Sequence, residues 1–456
     1  MLRFFNIRLR FGLNLFSFSL TVLVLLLARI WYRSTSTMPS PLTPTDVATA
    51  LLTKSGLQLQ SIKLLQPLWA GYGHICHLTA SPLPSSDSSG QTSRSASSAN
   101  SGASTPQELH SFILKLITPP AAKTVDEGHT RKILSYKVEQ YFYTHLAPLL
   151  PSSIPVAKCL ASIHEHHPDG TSTTAMILND LSQTFPIAGG KRDVLNPTQV
   201  HAALDWLSSF HGFWWPRVKD MPRASLVLPP LEEVKRSGQG ANPHADGKTV
   251  WLNGGYTYLA TRRSEYANLA EDHDSEWIHP LTRPQEDGLS VSEKVAFILA
   301  PREDGSGPNE EYMTLLHGDV KSENLFTSRD GTEVAFYDFQ YIGLGLGVCD
   351  LAKLFTCSIP LNMLIGEMRV PGNTLPMQEA EKKLLKRYLE NLKEVSNKEY
   401  EWDVFVRHWE LALVDWLRFQ ASWGFWGNTA WLQARVTHIL WNDEWKSEVL
   451  ANRSYT

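Results

Sequence analysis

His317-Gly318-Asp319-Val320-Lys321-Ser322-Glu323-Asn324, followed by Tyr337-Asp338-Phe339-Gln340, decides the reading of this chain. Between the two runs lie Leu325-Phe326-Thr327, then Arg329-Asp330-Gly331-Thr332, then Val334-Ala335-Phe336-Tyr337. Two short apolar runs around an Asp-Gly turn predict a β-hairpin. Such a hairpin returns the chain so that Asp338 stands beside Asn324, and two side-chain oxygens can share a hard cation such as Mg²⁺. Asp319, in a loop after the apolar run Met313–Leu316, is then left to accept or orient a proton, and Lys321 to neutralise a moving anion. A carboxylate beside an acceptor hydroxyl, together with oxygen ligands for Mg²⁺, is what phosphoryl transfer from ATP requires. Taken singly these are loop polars with capping and turn duties; residue type, spacing and hairpin together favour the chemistry.

Upstream, Lys115 lies in the middle of the apolar run Ser111-Phe112-Ile113-Leu114-Lys115-Leu116-Ile117. An ammonium there is costly to bury unless paired, and its natural duty is to hold the α- and β-phosphates of a nucleotide. Glu139, on a helix expected over about 125–146, is the best partner for it, with Glu127 and Lys137 nearby. The bland alternative is a lysine snorkelling from an edge strand. Gly71 and Gly73, in Ala70-Gly71-Tyr72-Gly73-His74, form a fragment of a glycine-rich loop; two such glycines commonly make only a hairpin turn. Their place before Lys115 recommends them as a lid over the phosphates. Asp350 reads as a hydrogen-bonding support for the catalytic loop. His317 reads as a structural imidazole bonded to the loop backbone, and His211, on an apolar helix face, as a satisfied core histidine.

The remaining chain bounds these readings. It has 456 residues, 43% hydrophobic and 19% charged, which is ordinary globular composition with room for two lobes. A net charge of −4 argues against a general nucleic-acid binder. Residues 1–45 hold five arginines and no acid, so they carry +5 and leave −9 on the rest. Cys76, Cys159, Cys349 and Cys357 show no metal-ligand spacing and read as free thiols. Residues 1–33 form a hydrophobic anchor or targeting segment, with 11–31 apolar enough to span a bilayer as a helix. The expectation is a membrane anchor carrying a cytosolic catalytic region. The alternatives are a mitochondrial presequence, from the arginine-rich acid-free start, or a cytoplasmic form translated from Met38. Residues 34–45 read as a linker, followed by a short helix over 47–55 and a hairpin over 57–78. Ser81 to Thr105, with eleven serines in twenty-five residues, reads as a disordered insert. Extended segments are expected over 156–164 and 173–178. A helix capped by Asn196 follows, then a polar loop over 236–248 and long helices over 377–395 and 403–441. The architecture predicted is α+β: a strand-rich N-lobe over 46–180 and a helical C-lobe over 181–450 carrying the catalytic loop.

The chain resembles the aminoglycoside phosphotransferase superfamily, and within it the small-molecule kinases related to choline kinase and ecdysteroid kinase. The resemblance rests on His317-Gly318-Asp319 with Asn324, Asp338-Phe339-Gln340, Asp350-Leu351, Lys115, and Glu139-Gln140-Tyr141-Phe142-Tyr143. It implies a two-lobed protein-kinase-like fold, ATP and Mg²⁺ as cofactors, and a small-molecule alcohol as acceptor. Asp319 with Lys321 would serve catalysis, Asn324 and Asp338 the metal, and Gly71, Gly73, Lys115 and Glu139 the nucleotide. The short glycine-rich loop and the serine-rich insert depart from the family pattern. A protein kinase is the nearest rival, because Asp319-x4-Asn324 matches its catalytic loop as well. Against it stand Gln340 in place of glycine, the absence of Ala-Pro-Glu, and only eleven residues between Asp338 and Asp350. A membrane-tethered pseudokinase or binding module is the third reading. Trp206, Trp214, Trp215, Trp416 and Trp423 are expected in the helical lobe, as core or as an aromatic lining for the acceptor. Oligomeric state and the acceptor's identity are left open.

Overall fold

Five antiparallel strands form the first half of the fold: β1 (Leu57–Pro67), β2 (Gly73–Pro82), β3 (His110–Ile117), β4 (Cys159–His166) and β5 (Ser172–Asn179). Their order across the sheet is β1-β2-β3-β5-β4, so β3 is central. Lys115 lies opposite Ile75 on one side and Met176 on the other. The structure, a computed structural model, describes residues 43–84, 108–120, 126–167, 171–238 and 247–450. The expected apolar segment 1–33 and residues 85–105 of the serine-rich stretch lie outside them. Among the described residues no helix is long and apolar enough to cross a membrane.

Ser81 and Pro82, expected in the insert, belong to β2. They pair with Gln58 and Leu57, and Gln60 donates to the Ser81 hydroxyl at 2.8 Å. Helix α1 (Pro44–Lys54) starts within the expected linker. Between β3 and β4 runs α2 (Glu127–Tyr141), capped by the Asp126 carboxylate, which accepts from His129 N at 2.6 Å. The chain continues past α2 as a wider turn, Phe142–Leu146, so the expected helix is present with its last turn altered.

The second half is helical. Helix α3 (Pro197–Trp214) opens on a reciprocal cap in which Asn196 and Gln199 each bond the other's backbone. It is followed by α4 (Arg263–Glu271), α5 (Val291–Leu299), α6 (Val348–Cys357), α7 (Glu379–Ser396), α8 (Trp402–Trp423) and α9 (Thr429–Trp441). Residues 403–441, expected as one helix, are therefore two. Gly424 (φ +126°) ends α8, and Gly427 (φ +77°) passes so close to α6 that a Cβ would stand 2.2 Å from Thr356 O. Short strands sit among the helices: β6 (Ile187–Ala188), β7 (Met313–Leu316), β8 (Leu325–Thr327), β9 (Val334–Phe336) and β10 (Gly343–Leu346). Strands β8 and β9 are the predicted hairpin, with Leu325 opposite Phe336, and β10 pairs antiparallel with β7.

Candidate active site

The central strand and α2 create the buried part of the site. Lys115 Nζ lies 2.6 Å from Glu139 Oε2 and 2.9 Å from Asp338 Oδ1. Lys115 and Glu139 are both buried, whereas the Asp338 side chain keeps 31% of its surface exposed. Burial opposes the lysine's charge, but the two carboxylates outweigh it and hold its pKa above the ordinary value. Burial pushes Glu139 up to about 7, with Lys115 pulling the other way and Asp338 adding to the rise. Asp338 is also penalised by burial, yet the Lys115 ammonium keeps its pKa below the usual value. One cation thus serves two carboxylates. Asp338 adopts φ +66°, a left-handed backbone that is costly for a residue other than glycine and concentrates at functional sites. Gln340 helps to hold it there, donating to Asp338 Oδ1 at 2.7 Å while its own Oε1 accepts from Ser135 at 3.2 Å.

The catalytic loop is fixed from below by Asp350, at the start of α6. Its carboxylate accepts from His317 N at 2.7 Å and from Gly318 N at 3.0 Å. His211 bridges Asp350 and the Tyr388 hydroxyl, and Lys353 donates to Gly318 O at 2.7 Å. Gly318 has φ +89°, and a Cβ there would meet Tyr341 O at 2.2 Å, so only glycine fits. His317 Nε2 lies 2.9 Å from Tyr337 O, and Nδ1 accepts from Asp319 N at 3.2 Å. With both ring nitrogens engaged by backbone and burial lowering its pKa, His317 is placed as a loop support. Asn324 Nδ2 donates to Asp319 O at 2.8 Å and Oδ2 at 3.0 Å, which fixes the amide and turns its oxygen away from Asp319. Tyr337 N donates to Asn324 O at 3.0 Å, so the hairpin brings Asp338 next to Asn324 in the chain's return. Lys321 Nζ sits 3.0 Å from Asp319 Oδ2 and 3.1 Å from Glu323 Oε1; burial opposes its charge and these carboxylates outweigh that.

Gly71 and Gly73 lie at the β1–β2 connection, at the Lys115 end of the sheet. Gly71 (φ +74°) borders open space. Gly73 begins β2, where a Cβ would stand 2.0 Å from Leu116 O, so its lack of a side chain is first a demand of strand pairing. The expected tryptophan gathering divides. Trp206, Trp214, Trp215 and Trp416 are buried core, Trp206 stacked on Phe210, while Trp423 is half exposed. Near the catalytic loop a different aromatic group forms. Tyr256, whose N–H donates to Gly318 O at 2.8 Å, meets Tyr341 and Phe419 edge to face. The Arg262 guanidinium lies 3.8 Å from the Tyr256 ring centre and 5.6 Å from those of Phe419 and Trp423. Arg262 and Lys353 have no role in the sequence reading, and Gln340 stands there only as a departure from glycine; its bonds to Asp338 and Ser135 are seen only in the fold. All four cysteines are free thiols, as expected.

Together, the sheet and α2 supply the buried Lys115–Glu139 pair, the helical half supplies the Asp319 loop, and Asp338 meets the Lys115 ammonium. Residues 281–370 match the profile of the ecdysteroid kinase-like family, a segment holding Asp319, Asn324, Asp338 and Asp350, and the resemblance carried by those residues stands. No curated protein sequence matches the chain. Among solved structures it is similar to a macrolide 2'-phosphotransferase from Brachybacterium faecium, at 12% identity over 83% of this chain and 99% of that one, with a TM-score of 0.36. A choline kinase from Cryptosporidium parvum matches at 13% identity over 86% and 90%, with a TM-score of 0.36. An ethanolamine kinase from Plasmodium vivax matches at 11% identity over 86% and 84%, with a TM-score of 0.34.

Proposed function

We propose that the protein transfers the γ-phosphoryl group of ATP to a hydroxyl of a small-molecule alcohol. The observation that carries the reading is the convergence of Lys115–Glu139, Asp338 and the Asp319–Asn324 loop: Lys115 pairs with both carboxylates, and Tyr337 N bonds Asn324 O next to Asp338. Lys115, braced by Glu139, would hold the nucleotide phosphates. Asp319 would orient the acceptor hydroxyl and take its proton as the new O–P bond forms and the bond to the ADP oxygen breaks. Lys321, paired with Asp319, would balance charge on the moving group.

The donor set suits Mg²⁺. Asn324 turns an amide oxygen away from Asp319, and Asp338 remains partly open in a cluster with one ammonium for two carboxylates. Mg²⁺ characteristically takes one or two protein oxygens and leaves its other positions to water and phosphate. Among the described residues no group of three His, Cys, Asp or Glu forms a fuller cage. When bound, the ion would draw charge from the phosphate oxygens.

The short passage from Asp338 to α6 supports a small acceptor over a peptide. β10 begins at Gly343 and α6 at Val348, with no segment long enough to seat a polypeptide. The aromatic group beside the loop already contains an internal cation, Arg262, which weighs against a quaternary ammonium acceptor at that point. Membrane anchoring through 11–31 and a cytosolic site remain part of the proposal, to be tested by fractionating full-length protein and a form starting at Met38. The central test is a library of small alcohols with labelled ATP. Asp319→Asn should lower transfer by about 10²- to 10⁴-fold, the usual worth of such a group, and leave nucleotide affinity nearly unchanged. Equal turnover by the variant would remove Asp319 from the chemistry. Labelling of protein substrates alone would favour the protein-kinase alternative, and ATP binding without any transfer the pseudokinase.

A further inference from the structure

Helix α2 does more than present Glu139. Along it, Glu127, Arg131, Ser135 and Glu139 recur every fourth residue, and between them they bond segment 261–265, Gln340 and Lys115. The Glu127 carboxylate accepts from Arg263 N and Ser264 N, each at 2.9 Å, and from the Ser264 hydroxyl at 2.5 Å. Those amides are the first two of α4, so a charge from α2 caps the positive end of another helix. Arg131 donates to Thr261 O at 2.7 Å and to Glu265 Oε1 at 3.2 Å. Glu265 Oε1 also receives Arg262 at 2.9 Å. Both side chains are buried, Glu127 at 5% and Arg131 at 8% exposure. Ser135 then meets Gln340, and Glu139 meets Lys115.

We propose that Glu127 and Arg131 are positioning residues, forming a clasp on segment 261–265 that sets the rotation and height of α2 and thereby keeps Glu139 on Lys115. The proposal rests on the reading of Lys115–Glu139 as the phosphate-holding pair. The physical reason is leverage. A helix is stiff along its axis, so two buried charge-assisted anchors in its first half fix the Glu139 side chain, about two and three turns away. Since Arg262 sits within the same segment and against Tyr256, the clasp also ties the Lys115–Glu139 pair to the aromatic group beside the catalytic loop.

The test uses the full chain carrying Glu127→Gln, Arg131→Met, both together, and Arg131→Lys as the conservative variant, each with and without Glu139→Gln. Two readouts are taken. Hydrogen exchange without nucleotide should show residues 132–141 opening about tenfold faster in Glu127→Gln and Arg131→Met while α8 keeps its protection. MgATP affinity should fall about tenfold or more, raising KM far more than it lowers kcat, with partial recovery in Arg131→Lys. In the Glu139→Gln background the clasp substitutions should cost little further, because both act through the same contact. Unchanged exchange across α2, or fully additive losses of affinity, would overturn the clasp. If the wild type binds no MgATP, the active-site reading falls, and the exchange comparison by itself decides the clasp. Glu127→Gln keeps the side chain's shape while removing its charge and one acceptor, and Arg131→Lys keeps the charge while losing the fork, so a folding failure of the double variant leaves the comparison intact.

Discussion

Lys115 is the residue whose surroundings say most about the site. Its ammonium is buried, with Glu139 at 2.6 Å and Asp338 at 2.9 Å. Replacing it with methionine keeps the volume and strips Glu139 of its only cation among these three groups. Breaking a buried pair by removing one partner costs about 3–5 kcal/mol. We expect Lys115→Met to lose stability of that order at neutral pH. Glu139 is already pushed up to about 7 by burial despite Lys115, so without the lysine it should bind its proton more tightly still. A carboxylate whose folded pKa is raised favours the folded state below its unfolded pKa, and that benefit disappears as pH rises through the folded value. The deficit of Lys115→Met relative to wild type should therefore shrink as pH falls through the interval above about 7, where only the variant's Glu139 is protonated, and level off below it. Urea denaturation of both proteins across that interval checks it, and a deficit that is constant with pH would refute it. Lys115 and Glu139 were both legible in the sequence, because a lysine inside an apolar strand demands a partner. That Asp338 shares the same ammonium was not, since 223 residues separate them.

At the scale of elements, the β1–β2 connection shows how position alters the meaning of a residue type. Gly71 and Gly73 look alike in the sequence, and both have positive φ. A Cβ on Gly71 meets nothing within 4 Å, whereas on Gly73 it would strike the β3 backbone at 2.0 Å. Gly71→Ala should cost only the left-handed backbone penalty, about 1–2 kcal/mol. Gly73→Ala should force β2 from β3 beside Lys115, with a larger loss of stability, above about 3 kcal/mol. Nucleotide affinity should fall with it. Thermal unfolding and nucleotide titration of the pair check this, and equal behaviour would contradict the strand contact. The β8–β9 hairpin was predictable because Asp330-Gly331 between two apolar runs is a local signal. The break between α8 and α9 was not, because it answers to α6, against whose Thr356 carbonyl Gly427 packs.

For the whole molecule, the Lys115–Asp338 pair joins the sheet to the helical half, and a ligand that bridges them should stabilise the fold as a unit. If MgATP binds there, unfolding should become harder by about 2.7 kcal/mol at a hundredfold excess over Kd. The rise should vanish when the divalent ion is chelated or in Asp338→Ala; differential scanning calorimetry reads both, and a rise independent of the ion would argue against Asn324 and Asp338 as its ligands. By itself the sequence determined the α+β character and the hairpin that returns Asp338 to Asn324, and it singled out Asp319 for the proposed chemistry, because local pattern and short spacing are sufficient for them. The tertiary structure alone decided how that chemistry is held. Asp338 sharing the Lys115 ammonium, Ser135 on Gln340, Lys353 on the Gly318 carbonyl and the Glu127 and Arg131 bonds to segment 261–265 all join residues far apart in the chain. Their energies come from burial and hydrogen bonding between elements, and no local spacing encodes which elements will meet.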